Sequence, residues 1–218
     1  MQLLIPAAAG LEGVVKRQLL SLGYPKAPAE NGRLALEGDW EDVARLNVFL
    51  QSGERVLIKL SEFPALTFDD LYDGIYALPW EEWLRVDSRI LMDGKSVQSR
   101  LAAVKAAGGV AKKAIIRRLA DRGKTGRRTF DESGPRTIVG LSLYRDRATV
   151  PLDTSGEGLH KRGYRDLAYT APLKETLAAA IVDLSLWNPD AAPEKPFADV
   201  FCGSGTLVVE AAMKALHI

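Results

Sequence analysis

The feature that most limits the fold of this 218-residue chain lies near its C-terminal end, in the run Asp199-Val-Phe-Cys-Gly-Ser-Gly-Thr206. Phe197 to Phe201 reads as a short buried strand, and Thr206 to His217 reads as a helix by the spacing of its apolar residues. Between them Gly203 and Gly205 demand a sharp turn. Glycine takes left-handed backbone angles without penalty, and it leaves no Cβ to obstruct a ligand that approaches the backbone. The first turn of the helix then offers unpaired N–H groups to an anionic group. The pattern is not the dinucleotide fingerprint, which needs a third glycine, and it lacks the lysine of a phosphate loop. It calls for an α/β unit with a ligand at the turn. A strand–turn–helix of some other α/β domain is the plainer alternative.

Upstream, apolar spacing divides the chain into further segments. Gln2 to Pro6 is a short strand, and Leu11 to Leu22 is a helix with Gly23 as its C-terminal cap. Arg33 to Glu37 alternates as a strand, Asp39 caps a helix to about Leu50, and Glu54 to Phe63 carries Val56, Ile58 and Leu60 at period two. This order suits a small α+β sandwich with helices on one sheet face. Beyond Pro64, Thr67 caps a helix through Ala77, and Asp87 to Met92 forms a strand. A long helical region follows from Val97 to Asp121, with an interruption expected at Gly108-Gly109. Thr137 to Tyr144 and Ala148 to Leu152 make a hairpin around Arg145-Asp146-Arg147. Asp153 to Asp166 is glycine-bearing and poor in apolar residues, a linker; Leu173 to Trp187 is a strong helix ended by Asn188-Pro189.

Charge adds a second constraint. The chain carries 29 Lys and Arg against 28 Asp and Glu, a net charge of only +1. Eleven of the bases and one acid, Asp121, fall between Lys95 and Arg128, so that segment holds a charge of +10 and the remainder −9. Such separation points to a polyanion-binding face; the bland alternative is a solvated basic helix. Hydrophobic residues at 47% are enough for a real core. The single cysteine, Cys202, excludes an internal disulfide. No stretch has signal-peptide or membrane-span character, so a cytoplasmic protein is expected.

Three segments resemble known sequences. D-V-F-C-G-S-G-T-L-V-V-E-A-A resembles the first motif of the RNA and DNA amino-methyltransferases, with Val200 where that family commonly has proline. L-D-T-S-G-E-G-L-H-K-R-G-Y-R followed by A-P-L-K-E-T-L-A-A-A is similar to a segment of the THUMP-containing ribosomal RNA guanine-N2 methyltransferases. V-Q-S-R-L-A-A-V-K-A-A-G-G-V-A-K-K-A-I-I-R-R-L is similar to the later part of a THUMP domain, an RNA-binding module. The fold implied is α+β: a ferredoxin-like subdomain over 1–64, a THUMP domain over 65–152, a linker over 153–169, and over 170–218 the start of a Rossmann-like methyltransferase domain.

The resemblance implies S-adenosylmethionine as cofactor, its methionine part cradled by Asp199, Cys202, Gly203, Ser204, Gly205 and Thr206. Thr170, Ala171, Pro172, Leu173 and Glu175 would be cofactor neighbours. Lys105, Lys112, Lys113, Arg117, Arg118, Lys161, Arg162 and Arg165 would face RNA, expected to be 23S ribosomal RNA; such phosphate contacts position a protein without reading sequence. His160 is expected in a structural or RNA-contact role, because amine methylation needs no imidazole nucleophile. Cys202 is expected to pack within its turn. Tyr72, Tyr76, Trp80 and Trp83 could stack bases but are assigned to the core. No metal is implied.

The resemblance also implies parts that do not occur in this sequence: an acid that holds the ribose hydroxyls, and an N-P-P-Y-type tetrapeptide that grips the target amine. Asn188-Pro189-Asp190 is not that motif. The sequence therefore reads as a truncated front portion, catalytic residues are expected beyond Ile218, and the fragment alone is expected to be inactive. The segment after Tyr169 is expected to fold poorly without the remainder. Alternatives to a ribosomal RNA enzyme are a transfer-RNA guanine-N2 methyltransferase and a non-catalytic THUMP RNA-binding module. A DNA methyltransferase would leave the basic region unexplained.

Overall fold

The computed structural model describes residues 1–30, 32–122, 131–164, 172–185 and 187–218. In chain order the elements are β1 (Gln2–Pro6), α1 (Glu12–Ser21), β2 (Ala29–Glu30), β3 (Arg33–Glu37), α2 (Trp40–Phe49), β4 (Leu57–Pro64), α3 (Phe68–Tyr76), α4 (Trp80–Trp83), β5 (Arg89–Val97), α5 (Val104–Arg122), β6 (Arg136–Tyr144), β7 (Arg147–Asp153), α6 (Glu175–Leu184) and α7 (Thr206–Ala215). They form two compact units. One is Met1–Val56 with Glu157–Ile218, the other Leu57–Gly156. The architecture is mixed α+β.

In the first unit β3 pairs antiparallel with both β1 and β2, with Leu3 opposite Leu36 and Ile5 opposite Leu34. These side chains are buried with Val14, Val15 and Leu19 of α1 and Val43 and Leu46 of α2. The start of α2 is fixed by a capping box. Asp39 accepts from the backbone N–H groups of Glu41 and Asp42 at 2.9 and 3.0 Å, and the Asp42 carboxylate accepts from Asp39 N–H at 2.9 Å. Tyr24 donates to the same carboxylate at 2.5 Å. That hydrogen bond holds Asp42 below the usual carboxylate range, while burial and Asp42 push the Tyr24 hydroxyl up to about 12. α6 packs against α1 and α7.

The second unit is built on strands in the order β4-β7-β6-β5. β4 and β6 pair antiparallel with β7, and β5 runs parallel to β6 from Arg89 opposite Arg136 to Val97 opposite Tyr144. Parallel neighbours require a crossover, which α5 supplies. Thr67 caps α3 by accepting from Asp70 N–H at 3.1 Å, and Asp70 accepts in return from Thr67 N–H at 2.9 Å. Trp80 is fully buried, and its indole N–H donates to the Ile75 carbonyl at 2.7 Å. Trp80 is thus core, as expected; Tyr72 and Tyr76 instead stack on each other at the half-buried margin, with ring centroids 6.2 Å apart.

Several local expectations are corrected. The helical region does not begin at Val97, which ends β5; α5 begins at Val104 and passes unbroken through Gly108-Gly109. Gly108 is buried, and a Cβ there would lie 3.4 Å from Met92 Cβ on β5, at the near edge of ordinary van der Waals contact. The hairpin turn is only Arg145-Asp146, both left-handed at φ 49° and 60°, and Arg147 already belongs to β7. Two left-handed residues match the twist of a tight hairpin. Phe197–Phe201 is not a buried strand: Val200 is 85% and Phe201 92% exposed. A strand needs neighbours for its backbone groups, and among the described residues no strand pairs with this segment.

Candidate functional site

The glycine turn has the backbone that its sequence demands. Gly203 and Gly205 are both left-handed, at φ 51° and 73°, and Gly205 precedes the first residue of α7. Gly205 N–H donates to the Cys202 carbonyl at 2.7 Å, which closes the turn. The hydroxyls of Ser204 and Thr206 lie 2.9 Å apart. A Cβ on Gly205 would meet nothing within 4 Å, and one on Gly203 only the Phe201 carbonyl at 3.8 Å. The space before the turn is open. Cys202 is exposed, so the expectation that it packs within the turn does not hold. The Asp199 carboxylate accepts from Phe201 N–H at 3.2 Å and so braces the approach to the turn.

One turn into α7, Glu210 is buried to 3% exposure. Its carboxylate accepts from the Tyr164 hydroxyl at 2.7 Å and forms an ion pair with Arg162, whose other terminal nitrogen donates to the Gln51 carbonyl. Burial pushes the Glu210 carboxyl up from its ordinary range, against the opposing pull of Tyr164 and Arg162. Burial, and then the carboxylate, raise the Tyr164 hydroxyl as well. Glu175, the first residue of α6, is buried nearby and contributes to the electrostatics of Tyr164, Glu210 and His160. Pro172 is exposed and Leu173 half-buried. Thr170, Ala171 and Arg165 lie outside the described residues.

Lys161 is exposed, whereas Arg162 is turned inward with a side chain only 13% exposed. An inward guanidinium already paired with a carboxylate is not placed to meet a phosphate. His160 is half-buried, and burial lowers its imidazole from the ordinary value. A Cβ on Gly158 would come within 3.2 Å of the His160 ring and 3.3 Å of Arg55. Its surroundings are those of a packed side chain.

The basic face of the second unit is partly neutralised by Glu81, Glu132 and its own Asp121. Arg118 donates through two nitrogens to Glu81 at 3.0 and 2.8 Å and lies over the Tyr76 ring. Arg117 pairs with Asp121, which also accepts from the Tyr76 hydroxyl at 3.0 Å, and Lys112 pairs with Glu132. Lys105 and Lys113 are exposed and have no ion pair among the described residues. Among those residues there is no cluster of His, Cys, Asp or Glu that could hold a metal, and no helix is long and apolar enough to cross a membrane.

Sequence reasoning missed the polar partners that brace this region. Gln18 on α1 donates to Ser52 Oγ at 2.9 Å and to Asp183 on α6 at 2.6 Å, and Lys214 on α7 donates to the other oxygen of Asp183 at 2.8 Å. Gln18 and Asp183 are 165 positions apart, and no periodicity could join them.

Residues 2–57 match the RlmL ferredoxin-like domain, residues 65–153 the THUMP domain, and residues 162–218 the RMKL-like methyltransferase domain. The chain is 40% identical over 216 residues to YpsC of Bacillus subtilis, provisionally named an RNA methyltransferase, covering 99% of this chain and 55% of YpsC. It is 37% identical over 220 residues to the ribosomal RNA large subunit methyltransferase K/L of Psychromonas ingrahamii, covering 98% of this chain and 28% of that protein. Two solved structures are each 42% identical and cover all of this chain and 56% of their own. One, at TM-score 0.89, is a Listeria monocytogenes protein described as a predicted N6-adenine-specific DNA methylase. The other, at TM-score 0.88, is SMU.472, a provisionally named methyltransferase complexed with SAH. The chain thus spans about half or less of the length of these relatives. Module by module and in order, the chain matches the ferredoxin-like, THUMP and methyltransferase domain models.

Proposed function

We propose that this chain is the RNA-binding and donor-binding front portion of an S-adenosylmethionine-dependent methyltransferase acting on the exocyclic N2 of a guanine in large-subunit ribosomal RNA. The observation that carries the reading is the open turn with left-handed Gly203 and Gly205 at the start of α7. A methionine carboxylate suits such a turn, where helix N–H groups face an anion and no side chain intrudes. Asp199, Cys202, Ser204 and Thr206 border the turn, and by the resemblance Thr170, Ala171, Pro172, Leu173 and Glu175 would be cofactor neighbours. Similarity to SMU.472, which was solved with SAH, supports the same cofactor.

Bound S-adenosylmethionine would supply an electrophilic methyl group. The protein's part is to hold the donor and exclude water while the target base is extracted and its weakly nucleophilic amine is aligned. RNA would be drawn to the basic face. Lys105, Lys113 and Lys161 would provide direct phosphate contacts, Lys112 and Arg117 would join by exchanging their internal carboxylate partners, and Arg118 would stay paired with Glu81. Arg162 would hold the interior of the donor domain. The protein would act in the cytoplasm.

The test is transfer of labelled methyl from S-adenosylmethionine by the full-length protein to large-subunit ribosomal RNA, transfer RNA and duplex DNA, with the modified nucleoside identified by mass spectrometry. N2-methylguanosine in the large-subunit RNA is expected. Methylguanosine in transfer RNA alone would replace the substrate, N6-methyladenine in DNA would overturn the RNA reading, and RNA binding without transfer would leave a binding module.

A further inference from the structure

We propose that the donor-binding helix α7 is positioned by the N-terminal module through two polar relays, so that Glu210, Arg162 and Gln18 are positioning residues for the cofactor. The inference rests on the donor role proposed for the turn. Both relays begin beside one another, at Gln51 and Ser52, immediately after α2. The first runs from the Gln51 carbonyl through the Arg162 guanidinium to Glu210, with the Tyr164 hydroxyl on the second carboxylate oxygen. The second runs from Ser52, which also donates its N–H to Gln18 Oε1 at 2.9 Å, through Gln18 and Asp183 to Lys214.

The two relays meet α7 at positions 210 and 214, one helical turn apart. A helix gripped at two levels cannot roll about its axis or slide along it without breaking a charged contact. The turn that begins α7 lies one further turn from Glu210. Gly203 and Cys202 are exposed, and the segment leading in has no strand partner among the described residues. The position of the turn is therefore set from the far side of the helix.

Glu210 is a costly choice for a helix that needed only packing. A buried carboxylate and guanidinium seldom stabilise more than apolar residues of the same size, whereas removing one partner is strongly destabilising. What the pair supplies is direction: its hydrogen bonds are satisfied in one orientation of α7. Gln18 plays the corresponding part in the second relay, where its amide bridges Ser52 and Asp183 and fixes α6 before Lys214 is reached.

The experiment uses the full-length protein and compares Arg162→Met, Glu210→Met, the double variant and Gln18→Leu with wild type. Thermal midpoint and S-adenosylmethionine affinity by calorimetry are read for each. The single Arg162→Met and Glu210→Met changes lower both. The double variant removes the buried unpaired charge, so its thermal midpoint returns toward wild type, while its cofactor affinity stays about tenfold weak, the size of ordinary coupling between separated groups. Gln18→Leu weakens affinity by a smaller factor, and Gln18→Glu combined with Asp183→Asn, which rebuilds a hydrogen-bonded pair, restores part of it. Affinity that simply follows the thermal midpoint across the set would overturn the positioning role. Failure of the wild-type protein to bind the cofactor at all would instead overturn the donor-site reading on which this one rests.

Discussion

The Tyr164 hydroxyl donates to Glu210 at 2.7 Å across 46 positions of sequence, joining the segment before α6 to the middle of α7. The acceptor is a buried carboxylate that also holds Arg162, so loss of the donor leaves part of a charged group without compensation. Tyr164→Phe is expected to lower stability by about 1.5 kcal/mol, in the range of hydrogen bonds to charged groups. Urea denaturation would measure it as a lower midpoint at an unchanged slope. A midpoint equal to wild type would mean that the hydroxyl is as well satisfied by water.

Gly205→Ala separates backbone strain from ligand contact. The left-handed φ of 73° costs an alanine roughly 1 kcal/mol. Its methyl would enter the open space assigned to the donor, so cofactor affinity should fall by more than that strain explains. Gly10 is the control, since it is left-handed at φ 83° and its Cβ would likewise meet nothing within 4 Å. Gly10→Ala should lose similar stability and keep full affinity in calorimetric titration. Equal affinity losses for the two would remove the turn from the donor site.

What could be read from the sequence was what neighbours in sequence decide. The capping boxes at Asp39 and Thr67 close within three residues, and the left-handed glycines answer a turn that is itself local. The exposure of Cys202 and Phe201 was not legible, because burial depends on what lies opposite, and no strand of the described residues lies opposite them. The charge of the Lys95–Arg128 segment was countable, but Glu81 and Glu132, which neutralise Arg118 and Lys112, come from outside it. Glu210 stood in a recognisable motif, while its partners Arg162 and Tyr164 lie 48 and 46 positions upstream with no spacing to announce them.

A pH dependence follows from His160. Burial lowers its pKa in the folded chain, with Lys174, Lys161 and Arg55 adding to the effect and Glu175 opposing it. The folded state therefore binds this proton less readily than the unfolded chain does. The stability linked to the neutral ring is present above the ordinary value of 6.5 and is lost as pH falls through the lower folded value. Thermal midpoints should decline just below pH 6.5, and His160→Gln should flatten that part of the profile. Asp42 and Glu62, both held below their usual range, contribute only at more acidic pH. An unchanged profile in His160→Gln would assign the decline elsewhere.

Gly74 tests the packing that places α3. A Cβ there would lie 2.2 Å from the Phe63 ring of β4, closer than any van der Waals contact permits. Alanine would ordinarily favour a helix, but here the ring or the helix must move. Gly74→Ala should therefore destabilise by about 1–3 kcal/mol, the usual cost of overpacking. The companion Phe63→Leu, Gly74→Ala variant should recover part of the loss in chemical denaturation. A single variant more stable than wild type would show that the ring swings aside freely.

Lys105 and Lys113 decide whether the basic face binds RNA. Both are exposed and lack an ion pair among the described residues, whereas Arg118 is held by two hydrogen bonds to Glu81. A lysine free of internal carboxylates can meet a phosphate without first breaking an existing pair. Lys105→Gln with Lys113→Gln should therefore weaken RNA binding and reduce the dependence of log affinity on log salt by about 1.5, from roughly 0.7–0.9 for each phosphate no longer neutralised. Arg118→Gln should change the slope less while lowering stability, because it frees Glu81. Binding to a structured ribosomal RNA fragment would be measured from low to moderate salt. An unaltered slope in the double lysine variant would place the RNA on another face of the protein.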